Sequence, residues 1–299
     1  MEFLHAVLQR KCYYSIMLLA LQYFFKNFFD GESPEFYRRI QRKMIFDTHA
    51  HYDDEAFDED RDSLLASLPG AGIGHVVNVA ASMDSCHTTW ELIHRYDFMY
   101  GALGVHPSET AGLTEADMEF IKAHASDDKV VAIGEIGLDY YWPEPEKEIQ
   151  KKGFVRQLAL AKEVKLPVII HSRDASKDTL DILQREYAGQ GEGIIHCYSY
   201  SKETAKDYLD MGFYFGIGGV ITFANAKKLK EAVEMIPLSS IVLETDYPYL
   251  SPVPNRGKRN SSLHLPYVVS ALAELKGVSE EEVIGTTEEN AKKIYGLPL

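Results

Sequence analysis

The strongest constraint on this chain is a pattern that repeats. A short apolar run ends abruptly in a side chain able to hold a metal ion, and this happens five times. Met44-Ile45-Phe46 leads to His49 and His51. Val130-Val131-Ala132-Ile133-Gly134 ends in Glu135, Pro167-Val168-Ile169-Ile170 in His171, and Gly193-Ile194-Ile195 in His196. Ile241-Val242-Leu243-Glu244-Thr245 ends in Asp246. Alternate side chains of an extended strand share a face, so His49 and His51 aim both imidazoles at one point just past the strand end. Neutral imidazole is the commonest metal donor. A lone His-x-His is more often solvated or hydrogen-bonded than metal-bound. The recurrence of the design downstream is what gives the pair its weight.

Between these runs lie helical patterns. Further strands are expected at 75–79, 98–103 and 213–216. Helices are expected at 57–68, 83–96, 144–164, 175–187, 201–211, 226–235, 263–275 and 279–295, with another starting at Thr114-Glu115-Ala116-Asp117. Eight near-continuous apolar strands alternating with helices suit a parallel sheet covered on both faces. From Met44 to Leu299 the chain has the usual ~250 residues of a (β/α)8 TIM barrel. An open doubly wound sheet is the alternative, but no Gly-x-Gly-x-x-Gly follows a strand. Closure matters because barrel active sites are built at the C-terminal ends of the strands. Strands 1, 4, 5, 6 and 8 then bring His49, His51, Glu135, His171, His196 and Asp246 to one mouth, whereas an open sheet spreads them.

Six donors exceed the needs of one tetrahedral ion. They suit two divalent ions sharing a carboxylate, and Glu135 can bridge because its two oxygens can face different ions. Without a counter-charge, so many crowded ionisable groups are costly. The net charge of −14 argues against a broadly basic nucleic-acid surface. Bound ions and a local basic loop still supply attraction where it is needed. The cysteines Cys12, Cys86 and Cys197 lie far apart, form no disulfide framework or zinc-finger spacing, and fit a reducing cytoplasm. Residues 1–43 differ from the rest. The apolar, aromatic stretch from Tyr13 to Phe29 is flanked by Arg10-Lys11 and by Arg38, Arg39, Arg42 and Lys43. It has no evident signal cleavage site and is too short for a membrane span. The favoured reading is a start placed upstream of the true one at Met44, ahead of an appended amphipathic or interfacial helix. No stable membrane association is expected for 44–299.

The motifs together resemble a known family. Asp47-Thr48-His49-Ala50-His51, Gly104-Val105-His106-Pro107, Ala132 to Tyr140, Ile170 to Ala175 and Ile195 to Ser199 look like TatD deoxyribonucleases. So do Leu243-Glu244-Thr245-Asp246, Pro248-Tyr249-Leu250, Pro252-Val253-Pro254, Arg256 to Asn260 and Thr287 to Ala291. The resemblance covers Met44 to the C-terminus in order. It implies a barrel of the metal-dependent amidohydrolase superfamily and hydrolysis of DNA phosphodiesters, typically as a 3′→5′ exonuclease, in DNA repair or degradation. It also implies that the six donors are the metal ligands.

On this reading His49 and His51, with Glu135 and Asp246, hold one ion, and Glu135, His171 and His196 hold the other. The metal is Mg, Mn or Zn. Asp246 and Glu135 are the catalytic carboxylates, and Asp246 can take the proton of the attacking water. His106 and Arg173 are candidates for the phosphate flanking the scissile one, Arg for its bidentate fork. Loop capping and surface pairing are the alternative for both. Arg256, Lys258 and Arg259 form a basic loop after strand 8 and are expected to contact DNA, with single-stranded ends as substrate. Departures from the family pattern at Tyr198, Tyr200 and Tyr247 suggest that at least one of these rings stacks on a terminal base. Two other readings are a cyclic-amide or lactone hydrolase of the same superfamily and a non-catalytic metal-binding barrel. Hydrolases of the first kind often bridge their metals with a modified lysine, where this chain has Glu135.

Overall fold

The structure is a computed structural model and describes residues 43–299; the extension expected over 1–43 therefore lies outside the described residues, Lys43 apart. The strands are β1 Ile45–Ala50, β2 Ile73–Val79, β3 Met99–Leu103, β4 Val130–Asp139, β5 Val168–Arg173, β6 Gly193–Ile195, β7 Tyr214–Ile217 and β8 Ile241–Leu243. They form one sheet in sequence order, each parallel to the next. The helices are α1 Arg61–Ser67, α2 Met83–Ile93, α3 Glu115–His124, α4 Lys147–Val164, α5 Ser176–Glu186, α6 Lys202–Asp210, α7 Lys227–Met235, α8 Leu265–Lys276 and α9 Glu280–Ile294. This is the expected (β/α)8 barrel. Among the described residues, no helix is long and apolar enough to cross a membrane.

Two apolar layers follow from the two faces of each strand. Phe46, Val77, Ala102, Ile169, Ile194 and Val242 form one cluster, drawn from strand after strand around the barrel interior. Their neighbours Ile45, Val76, Leu103, Val168, Ile195 and Leu243 belong to the larger cluster facing the helices. The period of two then carries chemistry to the mouth. Two residues beyond inward-facing Ile169 stands His171, and two beyond Ile194 stands His196. Val242 is followed at the same interval by Glu244 and then Asp246. At the opposite end, Ile294 and Tyr295 of the α9 region join the interior cluster, and the Tyr295 hydroxyl donates to the Thr48 carbonyl at 2.9 Å.

The seam between β8 and β1 is closed largely by side chains. The Thr48 hydroxyl donates to the Leu243 carbonyl at 2.9 Å, and the Asp246 N–H donates to the His49 carbonyl at 3.1 Å. Buried Asp47 accepts from the Thr245 N–H at 3.1 Å, from the Thr245 hydroxyl at 2.7 Å and from the Ser262 hydroxyl at 2.7 Å. Burial pushes its carboxyl up to about 7 against these bonds. Asp47→Ala strands several buried donors at once, and each stranded group costs about 1–3 kcal/mol. The urea midpoint is expected to fall by the equivalent of about 3 kcal/mol with an unchanged slope. A midpoint within error of the parent chain's would show that the seam does not need this carboxylate.

Two elements differ from expectation. The helix expected at 57–68 is split into a 3-10 turn, Glu55–Phe57, and α1. Asp54 caps the turn by accepting from the Ala56 N–H, whereas the Asp60 carboxylate is taken by Arg259 and does not cap α1. β4 runs past Glu135 to Asp139, with an irregular register against β5 between Ile133 and Ile136. Gly137, at φ 145°, makes this possible, because a Cβ there would overlap the His171 carbonyl oxygen. The longer strand brings a second carboxylate, Asp139, alongside His171.

Candidate metal centre

Glu135 lies at the centre of the mouth, 4 % exposed. Its two oxygens face different histidines. Oε2 is 3.4 Å from His49 Nε2 and 3.8 Å from His51 Nε2. Oε1 is 2.7 Å from His171 Nδ1 and 3.8 Å from His196 Nε2. Asp246 Oδ1 spans both sides, 3.6 Å from His51 Nε2 and 3.5 Å from His196 Nε2. All six donors expected from the sequence thus converge on one place.

The outer nitrogens of three imidazoles are held by acceptors. His51 Nδ1 donates to the Val79 carbonyl at 2.7 Å. His171 Nε2 donates to Asp139 at 3.1 Å, and His196 Nδ1 to Glu244 at 3.1 Å. Such partners fix the tautomer and point the other nitrogen's lone pair at the metal. Here three lone pairs turn inward, and His49 Nε2 lies only 3.1 Å from His51 Nε2. Four ring nitrogens and two carboxylates facing one another form a cluster that could hold a cation between them. The electrostatics point the same way. Burial disfavours the charged form of His51, but the Asp246 and Glu135 carboxylates outweigh it and raise the imidazole to about 9. Burial is likewise outweighed at His171, raised to about 9 by Glu135 and Asp139, and at His196, raised strongly by Glu244 and Asp246. His49 is lowered by burial and by the neighbouring His196. Glu135 is held well below the usual carboxylate range despite its burial, by His196, His49 and His171. The donor set therefore fits a metal cation.

Sequence reasoning missed two supporting carboxylates. Glu244, fully buried, also accepts from the Cys197 N–H at 2.6 Å. Cys197 and Asp246 both have left-handed backbones, φ 44° and 53°, so the chain turns sharply as it leaves β6 and β8. Such strain gathers at functional sites. Glu244 stands two residues before Asp246, so the spacing that singles out His49 and His51 would have found it. Asp139 was hidden by the irregular register of β4.

The remaining candidates divide. Among the donor clusters of the mouth, His106 joins Glu135 and His171. The Ser108 N–H donates to its Nδ1 at 3.2 Å, which leaves the ring proton on Nε2. Burial and the nearby His171 lower it to about 4, so it is neutral at pH 7. Arg173 lines two adjoining cavities at the mouth, of about 500 and 650 Å³, with its guanidinium 3.9 Å from the centre of the Tyr141 ring. Arg256, Lys258 and Arg259 line neither cavity. Arg256 lies over the Phe223 ring at 4.4 Å. Arg259 grips Asp60 with both arms of its fork, at 2.8 and 2.5 Å, and so braces the β8 loop against the β1 loop. The stacking role expected of Tyr198 and Tyr247 is corrected, and Tyr200 lines neither cavity. Tyr247 is fully buried against Tyr52 and Phe57, and Tyr198 is 2 % exposed and packed on Phe215. Tyr200 is half-buried and hydrogen-bonds Ser172 at 3.0 Å. These rings fill the space between loops and helices, and the two buried ones have no free face.

Comparison with known proteins agrees with this geometry. The family model described as TatD related DNase matches residues 46–296. The chain is 44% identical over 254 residues to YabD of Bacillus subtilis, described as an uncharacterized metal-dependent hydrolase; the match covers 85% of this chain and 100% of YabD. It is 35% identical over 257 residues to YcfH of Escherichia coli K12, similarly described, across 85% of this chain and 96% of YcfH. Among solved structures, the TatD homologue YjjV of Escherichia coli K12 superimposes with a TM-score of 0.80 at 30% identity, covering 85% of this chain and 98% of YjjV. A barrel with this donor set, matched along its whole length, belongs to the TatD family of metal-dependent hydrolases.

Proposed function

We propose that the chain hydrolyses DNA phosphodiester bonds as a 3′→5′ exonuclease, with two divalent ions shared by Glu135. The observation that carries the two-ion reading is the division of labour within Glu135, whose Oε2 faces His49 and His51 while Oε1 faces His171 and His196. Bound divalent ions supply Lewis acidity, easing ionisation of a water and offsetting the charge of the phosphoryl group. Asp246 lies between the two donor sets and is held ionised by His196 although burial opposes it. It accepts the proton of the attacking water. His106 offers a neutral Nε2–H to a phosphate oxygen. Arg173, steadied on Tyr141, offers two parallel N–H groups to the next phosphate. The choice of DNA and the polarity rest on the family resemblance, and the phosphate-directed pair supports only a phosphodiester substrate. The test is hydrolysis of labelled single- and double-stranded DNA in a series of Mg, Mn and Zn. Progressive shortening from 3′ ends, lost with chelator, is expected; no cleavage with any metal would overturn the reading.

The family model matches this chain from residue 46 onward. A chain beginning at Met44 is therefore expected to match the full chain in rate, with a melting temperature within about 2–4 °C of the parent. The Met44 nitrogen already donates to Glu288 at 3.2 Å, and as a terminus it would carry a charge toward that carboxylate. Loss of rate or solubility on truncation would place residues 1–43 in the functional unit.

A further inference from the structure

With Tyr198 and Tyr247 turned inward and Tyr200 outside both cavities, two other aromatic rings stand at the mouth. Trp142, in the β4–α4 loop, is 57 % exposed, and Tyr249, after β8, is 63 % exposed. Each lines both cavities, together with His171, Arg173, His196 and Asp246. The two rings therefore border the space directly over the metal donors. Trp142 is braced from behind, because Tyr141 meets it edge-on at 4.9 Å while its own face is covered by Arg173. Large rings left in water beside a catalytic centre mark a binding surface.

The cavities differ in what they can accept. The 500 Å³ cavity holds His51, His106 and Glu135 and is walled by the further carboxylates Asp53, Asp54 and Asp139, so it suits the scissile phosphate over the donors and not the apolar face of a base. The 650 Å³ cavity adds apolar Val220 and Leu250 and small polar Ser172 and Ser199, with Asp246 as its one carboxylate. A nucleobase has apolar faces and a polar rim, and it fits the second cavity.

We infer that Trp142 and Tyr249 form the stacking platform for a nucleobase next to the scissile phosphodiester, with that base lodged between them in the cavity bounded by Val220 and Leu250. This rests on the nuclease reading and assigns the residues that would hold the base beside the scissile bond. Arg173, fixed between the aromatic wall and the metal donors, then meets the phosphate on the same side as the base.

The test compares two single-stranded oligonucleotides that differ only at their last two 3′ positions, adenine in one and abasic tetrahydrofuran in the other. The protein is used as full chain, with Mn for the kinetics. Stacking on an aromatic ring is worth about 1–3 kcal/mol per base, so Trp142→Ala and Tyr249→Ala are each expected to raise KM for the adenine end about tenfold. Both should leave the abasic end unchanged, and Trp142→Phe, which keeps a ring face, should restore most of the loss. A second readout needs no turnover. The chain has two tryptophans, and the adenine-ended oligonucleotide should quench fluorescence of the metal-free protein but not of Trp142→Phe. Equal effects on both substrates, or unaltered KM in both alanine variants, would overturn the platform and leave the nuclease reading intact. A parent protein that cleaves neither oligonucleotide would overturn the nuclease reading, and this inference with it.

Discussion

Glu135→Ala is expected to lower phosphodiester hydrolysis by about a thousandfold or more, the scale on which loss of a single transition-state contact is felt, with the barrel still folded. The side chain touches both donor sets, at 2.7 Å from His171 and 3.4 Å from His49. Its removal leaves four imidazoles facing one another with Asp246 as the only central anion. Both ions should be lost together, so elemental analysis of the purified variant is expected to find neither. His171→Ala and His196→Ala, each confined to one side of Glu135, should keep one ion while turnover falls by orders of magnitude. Chelation of the parent protein should reproduce the Glu135→Ala rate, and added metal should rescue the parent but not the variant. Unchanged turnover in both histidine variants, or a full metal complement in Glu135→Ala, would sink the two-ion reading. The barrel should survive these changes because its seam is held by Asp47, Thr48 and Thr245, none of which is a metal donor.

These six donors were legible in the sequence because strand geometry leaves little freedom. Each stands at the C-terminal end of an apolar strand, and parallel closure brings all such ends to one mouth. His171, His196 and Asp246 follow inward-facing Ile169, Ile194 and Val242 at even intervals, while His49, His51 and Glu135 reach the mouth across the irregular registers of β1 and β4. That argument placed His171 and His196 without knowledge of any contact. It weakened where local structure departs from the regular strand. The irregular β4–β5 register hid Asp139. The charge of Arg259 suggested a nucleic-acid contact, yet the nearer carboxylate of Asp60 took its fork. Tyr247 and Tyr198 follow strand ends just as the metal donors do, but beyond a strand the direction of a side chain is set by the loop. The left-handed turns at Cys197 and Asp246 send the following tyrosines back into the packing between loops and helices. Trp142 and Tyr249 lie in loops with no periodicity, so no spacing rule could assign them a face.

The second large effect is expected at a carboxylate outside the six donors. Glu244 accepts from His196 Nδ1 and from the Cys197 N–H, and so holds both the orientation of a ligand and the strained turn that follows it. Loss of such a partner costs about 10–100-fold in metal affinity or activity. Glu244→Gln is expected in that range, because one amide oxygen cannot serve both donors and the amide NH2 faces a donor. Gly216→Ala should act through the same carboxylate. Gly216 lies on β7 beside β8, and a Cβ there would overlap the Glu244 carboxylate. The buried carboxylate has no solvent to move into, so it must leave His196 or the strands must part, at a packing cost of about 1–3 kcal/mol. Metal titration should therefore show both variants weakened at the ion bound by His196 and far less at the ion bound by His49 and His51. A merely structural lesion would lower the melting temperature and weaken both ions alike. Gly216→Ala with the parent's metal affinity and rate would show that the position of Glu244 does not govern His196.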